Sequence, residues 1–359
     1  MMARDFPELT DLKFVSEFMS ILETGAKDST YKFAFARFLL DYSREHDSST
    51  VSFSTIAEYF LRYYWVQECR SKLNQTSRKI MKKPNESKEK EFLMKKIIQK
   101  EFGDDYYPED FEKIKEKEPQ KIKNCIQQIE INCFNDVTYA FQNTDGGFQN
   151  RPFFDYKIKR MKKRFDRLVD LPIIDLQNGI TLNPKAMNFF KRYYVILEKS
   201  IILEWARFIE QFNLGVPELI RKIEGKKEER KPTTRERVAL EKAGFTKCFY
   251  CNDDFNDNEK SHVEHVIPFS YIYQNEMWNF VLACQDCNCE KKGKLPSKCY
   301  LDSLIKRNKK YREQIPELDR SLSKLGKDFE KAIRDHYDNA ESHGFKTFTN
   351  FSKLYPNFY

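Results

Sequence analysis

Cys248-Phe249-Tyr250-Cys251 and Cys284-Gln285-Asp286-Cys287 are two Cys-x-x-Cys pairs with 32 residues between them. Each pair sets two thiolates on one tight turn. Two such turns facing each other build a tetrahedral site with Zn–S distances of about 2.3 Å. Other chemistries also use cysteine pairs. A single pair can be a redox couple, which accounts for only half of these sulfurs. Two pairs can hold iron and sulfur, which gives no reason for the residues between them. Four protein ligands leave no open coordination position, so the zinc reading is a structural one. Cys289 and Cys299 read as spare thiols, with Cys289 close enough in sequence to be an exchanged ligand.

Between the pairs lies His262-Val263-Glu264-His265-Val266-Ile267-Pro268. Trp278-Asn279-Phe280-Val281-Leu282-Ala283 leads into the second pair, and Asn288, Lys291 and Lys292 follow it. A lone histidine in a strand is most often a structural residue. That is the preferred reading of His262, beside the alternatives of assisting a base or touching phosphate. For His265 the company is different. Glu264, Pro268, Asn279, Asn288 and both cysteine pairs stand around it in a fixed order. In this order the segment resembles the HNH, or ββα-metal, nuclease family in its four-cysteine form. The resemblance covers roughly residues 245–295 and does not extend to the first 235.

The resemblance implies a set of roles. His265 is the general base, and a neutral imidazole near pH 7 suits proton abstraction from water. Glu264 and Asn288 are ligands of a catalytic metal. The family more often has Asp at the position of Glu264, so a longer side chain stands here. Asn279 orients the base loop through backbone hydrogen bonds, and Lys291 contacts the scissile phosphate. Glu and Asn offer oxygen donors, which suit a hard ion, Mg²⁺ or Mn²⁺. A strand through residues 263–266 sends neighbouring side chains to opposite faces. A short hairpin and a helix must then return the third group to the metal.

The rest of the chain sets the frame. It has 359 residues, enough for two or three domains, with 31 Phe and 19 Tyr to fill cores. Nine cysteines, an odd number, in a chain whose first residues carry Arg4, Asp5, Glu8 and Asp11, argue against a disulfide framework and an export signal. No run of about eighteen apolar residues is present, so no transmembrane helix is expected. The expected location is the cytoplasm. Net charge is +8, which permits a polyanionic partner.

The expected fold class is mainly α with a small α+β module. A helical N-terminal region precedes a C-terminal zinc-stabilised ββα-metal domain. Four regions are expected: helical recognition or sensing at 1–150, a DNA- or partner-contacting stretch at 151–234, the nuclease domain at 235–312, and a helix with an aromatic tail at 313–359. Helical spacing marks Tyr31, Phe35, Phe38, Leu39 and Tyr42, and again the stretch from Ser54. Residues 82–91 read as a loop, and Asp145-Gly146-Gly147 as a turn. Residues 157–168 read as a basic amphipathic helix, with Ile158, Met161, Phe165 and Leu168 on its apolar face. Seven basic residues stand there against Asp166 alone. A charge run is usually a solvated face; the alternative is a phosphate-contacting one. Asn178-Gly179 between apolar runs predicts a hairpin. Asn183 and Pro184 open a long helix with an apolar stripe from Met187 to Phe212. That stripe is core, an interhelical seam or a dimer surface. Residues 225–234 have linker composition, and 316–340 read as one helix.

Residues 288–312 hold nine basic side chains against Glu290 and Asp302. Lys292, Lys294 and Lys298, with Lys159, Lys162 and Lys163 further upstream, are the expected nucleic-acid contacts. The function expected from all this is a metal-dependent DNA endonuclease of restriction or anti-phage type. The alternatives are a nonspecific nuclease effector activated by a partner protein, and a zinc-dependent nucleic-acid-binding protein without catalysis. DNA is the expected partner, with a homodimer or an activating protein as further possibilities. No methyltransferase motif is visible.

Overall fold

A computed structural model describes residues 9–24, 29–76, 92–103, 109–142, 151–162, 171–225, 233–255 and 261–348. Helices make up 63% of it, with a few small sheets, so the class is mainly α. No helix of the described residues is long and apolar enough to cross a membrane. The chain folds as two units. The first comprises residues 1–213 and 220–225, the second residues 214–219 and 226–359. The expected loop at 82–91, the turn at 145–147 and most of the linker at 225–234 lie outside the described residues.

The first unit is built around one helix. It contains α1 (Asp11–Thr24), α2 (Tyr31–Glu45), β1 (Thr50–Val51), α3 (Phe53–Tyr64), α4 (Leu93–Phe102), α5 (Phe111–Lys117) and α6 (Pro119–Phe141). Then come β2 (Phe154–Tyr156), β3 (Ile158–Lys162), β4 (Leu171–Ile174), β5 (Ile180–Leu182), α7 (Pro184–Arg192), α8 (Tyr194–Glu210) and α9 (Leu219–Glu224). Helix α2 is buried almost all round, as a central helix must be, and packs on α3, α6, α7 and α8. Its Phe35 ring stands 5.1 Å from both Phe141 and Phe154. Several of the polar groups it carries inward find partners. Asp41 accepts from the Tyr63 and Tyr194 hydroxyls, each at 2.7 Å. Arg37 donates to the carbonyls of Ile223 and Glu224 at the C-terminal end of α9, where a helix carries partial negative charge.

Local patterns gave way to tertiary contacts at three places in this unit. The basic segment expected as a helix from 157 is strand β3 over Ile158–Lys162, paired antiparallel with β4. The partner strand explains the difference. β4 offers ladder positions on one edge, while on the other Asn135 accepts from the Ile174 N–H at 2.9 Å and donates to the Pro172 carbonyl at 3.4 Å. Lys163, Phe165 and Leu168 lie outside the described residues. The expected hairpin is absent too. β5 runs between β1 and β2 in the sheet β1-β5-β2, so it has no edge left for β4. Asn178 ends a 3₁₀ turn capped by Asp175, and Gly179 alone takes positive φ (66°). A Cβ at Gly179 would stand 2.1 Å from the Val51 carbonyl oxygen, so the glycine permits a close backbone crossing. The long helix from Asn183 is two helices, α7 and α8, broken at Tyr193 (φ −104°, ψ 16°). Asn183 does cap α7, accepting from the Lys185 N–H at 2.9 Å. The stripe points inward, with Met187, Phe190, Leu197, Ile201 and Trp205 buried.

The second unit contains α10 (Thr234–Lys242), β6 (His262–His265), α11 (Phe269–Ile272), β7 (Phe280–Ala283), α12 (Gln285–Lys291), β8 (Leu295–Pro296), α13 (Lys298–Tyr311), α14 (Pro316–Ser323), α15 (Phe329–Ser342) and β9 (Thr347–Phe348). β6 and β7 pair antiparallel, with His265 opposite Phe280 and Glu264 opposite Val281. Helix α12 follows directly, giving the order ββα. One hydrophobic core runs from Leu240 through Tyr250, Trp278, Tyr300 and Leu318 to Tyr337 and Phe345. The helix expected over 316–340 is interrupted between α14 and α15, where Gly326 takes φ 89°. After α15, β9 pairs parallel with β8.

Candidate functional site

The four cysteines converge. The sulfurs of Cys248, Cys251, Cys284 and Cys287 all lie within 4.8 Å of one another, and Cys251 Sγ stands 3.9 Å from Cys284 Sγ. A tetrahedron with arms of about 2.3 Å has edges of about 3.8 Å, so the spacing fits one zinc ion. Local backbone makes this possible. Asn252, at φ 61°, closes the first knuckle with its N–H on the Cys248 carbonyl at 2.9 Å. The Phe249 N–H donates to the Leu282 carbonyl at 2.8 Å, tying that knuckle to β7. Cys284 is the N-cap of α12, which places Cys287 one turn on.

The electrostatics ask for a cation. Cys248 is drawn down to about 5, first by the hydrogen bond from Cys287 and then by backbone N–H groups, against the opposing effect of burial. Cys287 is pushed up because its proton serves Cys248, while burial is the leading cause of the rise at Cys251 and Cys284. Four crowded thiols thus resist ionising together, and a divalent ion relieves the conflict. Cys289 and Cys299 are exposed. Their neighbours are Gln285 (3.0 Å) and Ser297 (3.0 Å), so Cys289 is no member of the cluster.

Beside the cluster, β6 carries His262, Glu264 and His265. Alternation puts His262 and Glu264 on one face. On that face Lys291 of α12 donates to Glu264 Oε1 at 2.7 Å and to the His265 carbonyl at 2.8 Å. The ammonium is fully buried, and the Glu264 side chain is 12% exposed. Lys291, expected on the scissile phosphate, is therefore an internal clamp on the carboxylate. Asn288, three residues earlier on α12, shares that side of the helix and is half-buried. The His265 ring is held edge-on by Phe269 and Phe280, with centroids 5.2 and 4.6 Å away. Its Nε2 lies 3.2 Å from Asn275 Oδ1. An amide oxygen only accepts, so the donor in this contact is a protonated Nε2.

Asn279 is completely buried and binds both backbone groups of Ile267. Its Oδ1 accepts from the N–H and its Nδ2 donates to the carbonyl, each at 2.8 Å. The Asn279 carbonyl accepts from the Val266 N–H at 2.9 Å. The chain leaving His265 is thereby fixed by one side chain. Sequence reasoning missed what braces Asn279 in turn. Arg307, 2% exposed, donates to the Trp278 and Phe280 carbonyls at 3.3 and 2.8 Å, and Asn308 donates to the Trp278 carbonyl at 2.9 Å. Glu276 accepts from Ser321 at 2.8 Å and Lys324 at 2.7 Å. The signal available in sequence is an arginine on a largely apolar helical stripe, which a count of basic residues assigns to the surface.

The basic run 288–312 is less open than its composition implies. Lys291 and Arg307 are buried, Lys298 pairs with Asp338 at 3.0 Å, Lys309 with Glu330 at 3.1 Å and Arg312 with Asp319 at 2.6 Å. Lys294 sits over the Phe348 ring, and Lys292 is exposed. Acidic residues of α14 and α15 supply the counter-charges, and these lie too far along the chain for a local count to register. On β3, Lys159 and Lys162 are exposed, while Lys163 is outside the described residues.

The donor types near Lys291 are those a hard divalent cation takes. Glu264 keeps Oε2 and Asn288 its amide oxygen as donors, and Mg²⁺ is usually held by one or two carboxylates with waters and substrate phosphates completing the shell. Among the described residues the four cysteines are the one group of three or more His, Cys, Asp or Glu placed to hold an ion.

Residues 248–297 match the family described as HNH endonuclease. Residues 12–220 match the family described as domain of unknown function DUF8808. No curated protein and no solved structure matches the chain. With more than half its length inside that match, the chain belongs to the DUF8808 family, and it carries a C-terminal HNH endonuclease domain of the four-cysteine zinc form.

Proposed function

We propose that the protein is a metal-dependent endonuclease that hydrolyses phosphodiester bonds in DNA, with His265 as general base. The observation that carries this reading is the convergence of β6 and α12 beside the four-cysteine cluster. Glu264 is clamped there at one oxygen by Lys291, and the backbone after His265 is locked by Asn279. Glu264 and Asn288 would hold the cation. Mg²⁺ or Mn²⁺ supplies charge stabilisation at the phosphoryl oxygens when bound.

The chain's own groups divide the remaining work. The His265 imidazole takes the proton of the attacking water, while Asn275 holds the ring at Nε2. Asn279 prevents the strand end from shifting as the proton moves. Lys291 has no reach to substrate, because its ammonium is spent on Glu264 and the His265 carbonyl. Its contribution is to fix where the carboxylate points. The biological setting we propose is restriction or anti-phage defence, supported by a separate helical unit joined to the cutter.

The test is digestion of supercoiled plasmid with Mg²⁺ and with Mn²⁺. Parent protein should cut and His265→Ala should not, with equal zinc content and equal thermal melting. Discrete bands support site-specific restriction, and a smear supports a nonspecific effector. Normal cutting by His265→Ala removes the assignment of the base. Salt-sensitive DNA binding with no cleavage under any metal replaces the reading by a non-catalytic binding protein.

A further inference from the structure

We propose that the β3–β4 ribbon of the first unit is a duplex-DNA-contacting element. This deepens the nuclease reading by giving the helical unit its own grip on the substrate, and it rests on that reading only for the choice of DNA.

All five residues of β3, Ile158-Lys159-Arg160-Met161-Lys162, are exposed. The ladder pairs Ile158 with Ile174, Arg160 with Ile173, Met161 with Pro172 and Lys162 with Leu171, and the register shifts between Ile158 and Arg160. Lys159 is therefore a bulge residue, and with Arg160 it opposes the single residue Ile173. Strict alternation would put Lys159 with Met161 and apart from Arg160 and Lys162. The bulge undoes this segregation. Facing residues in an antiparallel ladder share a face, so Ile158 and Met161 share the side of Pro172 and Ile174, which are buried and held by Asn135 of α6. Arg160 and Lys162 take the opposite, solvent side.

Two further facts point to a polyanion. Among the described residues no carboxylate pairs with Lys159, Arg160 or Lys162. The basic run of the second unit shows the contrast, since several of its members are neutralised by α14 and α15. Position is the second fact. The far edge of β4 is covered by Asn135 of α6, so β3 is the outer strand of the ribbon among the described residues and lays its exposed side chains open to a phosphate backbone. The half-exposed Ile158 (40%) and Met161 (47%) add apolar surface at the rim of the ribbon. Lysine and arginine contacts to phosphate position a protein without reading sequence, so the ribbon supplies affinity across sequences.

The experiment uses full-length zinc-loaded protein carrying His265→Ala, so that the substrate stays intact. Binding of a fluorescein-labelled 30-base-pair duplex is followed by anisotropy from about 50 to 300 mM KCl. The variant Lys159→Ala/Arg160→Ala/Lys162→Ala changes only exposed side chains. A control, Lys113→Ala/Lys123→Ala/Lys199→Ala, removes the same charge from exposed sites on other elements. Each phosphate contact contributes about 0.9 to the slope of log affinity against log salt, so the ribbon variant should flatten that slope by about 2.7. Its affinity at 100 mM KCl should fall at least tenfold, and the control should match the parent. The proposal is overturned by a ribbon variant with the parent's slope, by an equal loss in the control, or by a loss confined to single-stranded DNA or RNA. Absence of duplex binding by the parent overturns it as well. Plasmid cutting by the His265-intact protein, assayed beside it, reports separately whether the nuclease reading stands.

Discussion

Lys291 and Glu264 should behave as one energetic unit, and a double-mutant cycle measures this. The ammonium has no solvent exposure and the carboxylate 12%. Removing one partner of a buried pair strands the other, at a cost of about 3–5 kcal/mol. Lys291→Met should fall at the lower end, about 3 kcal/mol, because Glu264 keeps some contact with water. Glu264→Met leaves a fully buried ammonium with only the His265 carbonyl, and should cost about 4 kcal/mol. The double variant replaces the pair by two apolar chains of similar volume, which is close to neutral for the pair itself. It still leaves the His265 carbonyl without its donor, so about 2 kcal/mol is expected. The coupling is therefore about 5 kcal/mol, large against the few tenths found for independent sites. Urea unfolding of the zinc-loaded chain, with zinc release to a chromogenic chelator reporting the second unit, measures all four corners. If the double variant costs the sum of the singles within about 0.5 kcal/mol, the two side chains do not form the clamp described above.

Four further outcomes are expected. Asn279→Ala leaves the Ile267 N–H and carbonyl unpaired in the core, costing about 2–4 kcal/mol in the same unfolding assay; Arg307→Lys should be milder than Arg307→Ala, since it keeps one donor. The protein should bind one zinc per chain, and Cys284→Ser should release it and unfold the second unit; measured zinc content near zero in the parent would refute the cluster. Thiol labelling at pH 8 should find Cys289 and Cys299 fast, while burial pushes Cys125 and Cys133 up to about 12 and keeps them slow. Because those two hold their protons more tightly when folded, their contribution is complete below about pH 8.5 and is lost as pH rises toward 12, so melting temperature should fall over that window. A flat profile from pH 8.5 to 10.5, identical in Cys125→Ala/Cys133→Ala, would contradict this.

The cysteine spacing by itself determined the location of the zinc centre, and the order of residues after it the ββα succession. Both are short-range properties: a knuckle is four residues, and β6, β7 and α12 follow one another in sequence. Helices α2 and α3 were legible for the same reason, as periodic apolar faces. Tertiary structure decided what depended on a distant partner. Residues 158–162 became a strand because β4 and Asn135 offered it a ladder. Gly179 served a crossing with Val51 in place of a hairpin turn. Lys291, a surface cation by composition, went inside because Glu264 stood 27 residues away in sequence and 2.7 Å away in space. Arg307 likewise reached carbonyls that no periodicity predicts. Charge in a sequence is a count, whereas its exposure depends on which opposite charges and carbonyls the fold brings within hydrogen-bond distance.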